Sequence, residues 1–118
     1  MDVITRHQLR PEHLNHHNTL YAGQIMDWMA EAAFIATAQL RRRTDHIVMA
    51  GAENIRLLRP MVPGEILELG VESVALGVTS IHLHIQGREL LSGALCCAGE
   101  LVFVTVDDEG KKCPHGLE

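Results

Sequence analysis

The chain is 118 residues long, 47% hydrophobic, and carries a net charge of −5 with its histidines neutral. That length supports one core and no second folding unit, so residues 1–116 are expected to form a single domain, with 117–118 set aside as resembling the scar of a C-terminal tag. The acidic balance, with one Tyr, one Trp and two Phe, excludes a phosphate-tracking surface and a base-stacking platform, so nucleic acid is not expected as a partner.

Residues 1–6 lack signal-peptide architecture, and no segment reaches the roughly 20 apolar residues of a membrane span, which predicts a cytoplasmic protein with no membrane partner. Residues 2–10 mix Val3, Ile4 and Leu9 with polar neighbours and stop before Pro11, as a short first strand would. A polar, histidine-rich loop follows. From Gly23 to about Leu40 the chain consists of helix formers without internal Pro or Gly, apolar on nearly every side, which predicts a long buried helix. Arg41-Arg42-Arg43 then places positive charge at the negative end of that helix, with a ligand phosphate as the alternative contact. Beyond it the hydrophobic period falls to two. Strands are predicted over 47–59, 66–76, 79–86 and 91–106, broken by Pro60, the Pro63-Gly64 turn and the Asp107–Gly110 turn, with Gly93 and Gly99 as possible bends or bulges. One strand, one apolar helix and four more strands ask for an antiparallel sheet curled around the helix, and its open edges ask for a second copy. The three cysteines, with Cys96 and Cys97 adjacent, suit reduced buried residues better than a disulfide framework.

Asn15 to Gly23, reading NHHNTLYAG, is similar to the loop that precedes the central helix in hotdog-fold acyl-CoA thioesterases of the broad acyl-CoA hydrolase type. Asn54 to Glu65 resembles that family's second strand and Pro-x-x-x-Gly-acid turn, Gly77-Val78-Thr79-Ser80 its Gly-x-Thr-Ser turn, and Val104 to Lys111 its closing strand and turn. The resemblance spans about the whole chain. It implies an α+β hotdog fold of about five strands around one helix, working as a homodimer or as a dimer or trimer of dimers. It also implies hydrolysis of an acyl-CoA thioester without metal or cofactor. Two loop glycines of the family are Asn18 and Ala22 here, replacements that such a loop tolerates because Asn accepts positive φ and Ala is small. The acidic residue usual seven positions after the last loop glycine is Ala30.

Asp27 and Glu31 flank that gap, four residues apart and so on one helix face. Burial and mutual repulsion would raise the pKa of at least one, as suits a general base; alternatively the helix surfaces there or the pair holds an Arg. On this reading backbone N–H groups at Gly23 and Gln24 stabilise the oxyanion, and Glu31 activates water or attacks directly, with Asp27 as substitute. Asn15 positions water or carbonyl, or else only caps its loop. By resemblance Thr79 and Ser80 lie near the pantetheine or phosphate end, unless they only cap a turn. His16 is a candidate substrate contact. His13, His16, His17, His82 and His84 match no zinc spacing and are assigned to loop and solvated strand face. The competing functions are a module that binds acyl-CoA without hydrolysing it, and an acyl-carrier-protein dehydratase, whose His-Phe-Pro-Gly loop the chain lacks.

Overall fold

The computed structural model describes residues 1–117. Strand β1 (Asp2–Gln8) leads through a one-turn 3-10 helix (Pro11–His13) and a loop into α1 (Ala22–Arg41). Strands β2 (Ile47–Leu57), β3 (Ile66–Leu76), β4 (Ser80–Glu89) and β5 (Leu95–Thr105) follow. All pair antiparallel in one sheet of order β1-β3-β4-β5-β2, leaving β1 and β2 at the edges. The sequence placed α1 and all five strands, with ends shifted by a few residues, but read the 3-10 turn as loop.

The core forms where α1 lies in the curl of the sheet. Ile25, Trp28, Met29, Ala32, Ala33 and Ala36 meet Leu67, Leu69, Ile81, Leu83, Ile85, Leu101 and Phe103. The alternation read in β4 is borne out, since Ile81, Leu83 and Ile85 are fully buried while His82, His84 and Gln86 on the other face are half-buried. The helix departs from expectation. Only one face is covered in the protomer, and Met26 and Phe34 stand exposed on the other with Asp27 and Glu31.

The strand after Gly93 also differs. Gly93 has φ +73 in the β4–β5 turn, but Gly99 is neither bend nor bulge and pairs in register with Ile85. The irregularity lies on β2 between Glu53 and Arg56, where Asn54 takes φ +55 and Ile55 drops its side chain onto the Gly99 backbone. A side chain at 99 would collide with it. Cys96 and Cys97 are both buried, and burial pushes the Cys97 thiol up to about 12, so both are unreactive packing residues; Cys113 is also a free thiol.

At the C-terminal end of α1, Arg42 adopts the left-handed conformation and returns its N–H to the Ala38 carbonyl. Arg41 donates to the Asp45 carbonyl at 2.8 Å, and Arg43 grips the Asp45 carboxylate through Nε and Nη2, holding that carboxyl well below its usual range. The arginine run is thus occupied in closing the helix. Leu117, set aside as tag-like, packs against the core, and residue 118 lies outside the described residues.

One buried carboxylate ties three segments together. Glu89, 5% exposed, accepts the Ile66 N–H at 3.1 Å through one oxygen and the Leu91 and Ser92 N–H groups at 3.0 and 2.9 Å through the other. These backbone donors hold its carboxyl below the usual range. A depressed folded-state pKa contributes stability that is fully present above the ordinary Glu value of about 4.3 and is lost as pH falls through the folded value. Glu89→Gln is therefore expected to lower the thermal midpoint at pH 7. The gap from wild type should close in acid, measured by circular dichroism melts between pH 7 and 3.

Candidate functional site

The loop before α1 is built by Asn15. Its Oδ1 accepts from the His17 N–H at 2.9 Å, the Thr19 N–H at 3.2 Å and the Thr19 hydroxyl at 3.2 Å, while its own N–H donates to the Thr19 carbonyl at 2.8 Å. This is the loop-capping arrangement that short polar side chains favour, and Asn18 takes φ +61 inside it. The Asn15 oxygen is spent on the loop. Its Nδ2 has no protein acceptor among the described residues and remains available as a donor.

Two backbone bonds fix the end of the loop: the Tyr21 N–H on the His13 carbonyl at 2.8 Å and the Leu20 N–H on the Met61 carbonyl at 2.9 Å. Met61 belongs to the β2–β3 turn, which Arg59 and Glu65 clamp through paired contacts of 2.8 and 3.2 Å, with the Val62 N–H on Glu65 Oε1. The start of α1 thus hangs on two anchored segments.

Of the two N–H groups expected at the positive end of α1, one is free. Gln24 gives its N–H to the Tyr21 carbonyl at 3.0 Å, because the first turn closes there, whereas the Ala22 and Gly23 N–H groups have no protein acceptor among the described residues. The free donors at the positive end are therefore Gly23 with Ala22 in place of Gln24. The Tyr21 ring, 57% exposed, lies against the Gly23 Cα where any side chain would strike it, so the approach to Gly23 opens by rotation of a surface side chain.

Asp27 and Glu31 share a face as expected, but they are not buried, because that side of α1 points away from the sheet. Asp27 is exposed and accepts from Gln24 Nε2 at 3.3 Å. Glu31 is 52% exposed and leans toward β1, where its Oε1 lies 3.4 Å from His7 Nε2. The burial that would raise a carboxyl pKa is absent within one protomer. His7 is a residue that sequence reasoning missed; a lone histidine in a polar strand gives no signal until the sheet brings β1 beside α1. Its ring stacks on Trp28 at 4.2 Å and 5°, and its pKa is lowered by burial, with Glu31 opposing.

The other candidates separate. His16 and His17 pack on each other at 3.9 Å, while His13 turns to the edge of Trp28 at 4.8 Å. Thr79 and Ser80 sit at the β3–β4 turn. The Thr79 carbonyl accepts the Thr105 N–H and hydroxyl, the Ser80 carbonyl accepts the Gly77 N–H, and His115 of the C-terminal segment bonds the Gly77 and Val78 carbonyls. That turn is held by the chain's own end rather than joined to Asn15 and Gly23.

A profile of the thioesterase superfamily matches residues 17–97. This chain belongs to the thioesterase superfamily. Among its relatives in the superfamily, an uncharacterized acyl-CoA thioester hydrolase of Bacillus subtilis is 27% identical over 116 residues, 95% of this chain and 66% of the relative. The chain thus spans just under two thirds of that protein. An acyl-CoA hydrolase from Staphylococcus aureus, solved in complex with butyryl coenzyme A, superposes with a TM-score of 0.79 at 30% identity over 93% of this chain and 66% of that one. A hexameric hotdog-fold thioesterase of Campylobacter jejuni superposes with a TM-score of 0.79 at 21% identity, covering 97% of this chain and 90% of that one. The five-stranded antiparallel sheet around one helix is the hotdog fold of this superfamily.

Among the described residues no helix is long and apolar enough to cross a membrane. Among the described residues no group of three His, Cys, Asp or Glu side chains converges as metal ligands do, and the donors that remain at the loop and helix start are N–H groups. Treatment with EDTA, followed by added zinc, is expected to leave the thermal midpoint unchanged, read by differential scanning fluorimetry.

Proposed function

We propose that the chain is a cytoplasmic acyl-CoA thioesterase that works as a homo-oligomer built from dimers. The observation that carries this reading is the start of α1, where unpartnered Ala22 and Gly23 N–H groups stand at the positive end of a 20-residue helix that follows the loop capped by Asn15. Donors fixed in place suit the oxygen of a thioester carbonyl as it gains charge. The superfamily match and the acyl-CoA hydrolase relatives support the reaction class. Attack by water puts the carbonyl electrons on that oxygen; their return expels the coenzyme thiolate, and a base takes the proton from water.

Glu31 is the base we assign, with Asp27 as substitute, and a second chain is required. In one protomer neither carboxylate is enclosed, and the same face exposes Met26 and Phe34 while edge strand β2 exposes Val48 and Met49. Covering these with another copy would enclose the carboxylates and complete the sheet. Thr79 and Ser80 are assigned to the distal, phosphate-bearing end of the substrate, and His16 to its approach.

One observation favours a second reading. Ala30 stands between two carboxylates, of which Glu31 leans toward His7 and Asp27 pairs with Gln24, so neither is directed at Gly23 within the protomer. A module that binds acyl-CoA without cleaving it would look the same.

A panel of acyl-CoA lengths assayed by thiol release separates the two: turnover supports the enzyme, and binding without turnover supports the module. Glu31→Gln is expected to lower kcat by about 100-fold or more with the fold intact, and Asp27→Asn by less. Unchanged kcat in both single variants and in the double variant would leave neither carboxylate in the chemistry. Sedimentation is expected to find no active monomer.

A further inference from the structure

We propose that the cavity between the end of β1 and α1, lined by Arg6, His7, Gln8, Arg10, His13 and Trp28, is a binding site for a phosphate-bearing anion. It encloses about 280 Å³ and lies on the β1 flank of α1, across the helix from edge strand β2. Its lining holds two guanidinium groups, two imidazoles and an amide around one indole, with no carboxylate among them.

On a chain of net charge −5 two arginines and two histidines line this one cavity, and their donors are only partly spent. Arg43 is locked on Asp45, and Arg59 on Glu65. Here Arg6 gives only its Nε to Glu68, at 2.7 Å, which leaves both Nη groups without a protein acceptor among the described residues. Arg10 is exposed and forms no ion pair among those residues. His13 accepts the Arg10 N–H on Nδ1 at 3.0 Å, so the hydrogen of its neutral ring rides on Nε2 and is free to be donated. His7 Nε2 is sealed from solvent with no hydrogen bond and faces Glu31 at 3.4 Å.

The donor set selects phosphate. Guanidinium forks match paired phosphate oxygens, and two guanidinium groups beside the His13 Nε2–H suit a phosphate better than a single carboxylate. The cavity has room for a pyrophosphate. Rigidity comes from Trp28, which is buried and clasped by His7 on its face and His13 at its edge.

Trp28 is the only tryptophan and lines this cavity, so its emission reports on it. The full chain is titrated with inorganic pyrophosphate at constant ionic strength, with ADP, coenzyme A and acetate as further arms. A saturable change in emission is expected. Arg10→Gln, at an exposed position, should weaken it roughly 10-fold while circular dichroism stays unchanged, and Arg56→Gln on the far edge of the sheet should leave it alone. Coenzyme A displacing pyrophosphate identifies the coenzyme's own phosphates as the source; ADP or pyrophosphate binding that coenzyme A does not displace identifies a free phosphate ligand. A linear, salt-like response, equal saturation by acetate, or unaltered affinity in Arg10→Gln overturns the proposal. The readout is binding alone, so it stands or falls independently of hydrolysis.

Discussion

Everything in this fold depends on how deeply α1 sinks into the sheet. Ala32, Ala33 and Ala36 keep the middle of its inner face shallow, so the helix axis approaches the β4 and β5 side chains while Ile25, Trp28 and Met29 fill the wider end. The first turn of α1 is held where the loop donors collect, and the loop needs no core of its own because Leu20 and Met61 are already part of it. Larger residues at the alanine positions would lift the helix and separate the loop from the β2–β3 turn.

The same depth explains the exposed face. A helix covered by the sheet on one side has the other side left over, and here that side carries Met26, Phe34, Asp27 and Glu31 together. Apolar and acidic groups mixed on one surface are poorly solvated as a set, and the adjacent edge strand has unpaired backbone groups of its own. On the proposed function, the site and the surface for association are one region, and the carboxylates take their environment from assembly rather than from folding.

Much of this was legible in the sequence because period and punctuation are local signals. The switch from helical to alternating spacing after Arg43, the Pro and Gly breaks, and the His82/Ile81 alternation placed the helix and all five strands. The site was less legible because its geometry is not local. The β2 bulge at Asn54 is invisible without Gly99 opposite it, since the close approach of Ile55 creates the need for both. The Gln24 N–H is lost to a turn closure that depends on where the helix begins to within one residue. His7 becomes a partner for Glu31 and Trp28 only after β1 joins the sheet beside β3, a pairing of distant segments that no spacing announces.

The bond from the Leu20 N–H to the Met61 carbonyl has a consequence for timing. Edge strand β2 runs through Leu58 and Arg59, both held by the Cys96 carbonyl, directly into the turn that carries Met61. Any partner that straightens or twists β2 therefore acts on the helix start through a few covalently connected residues. On the proposed function, subunit association and the readiness of the Ala22 and Gly23 donors would then be two ends of one lever, and newly made chains would acquire a competent site only as they find each other.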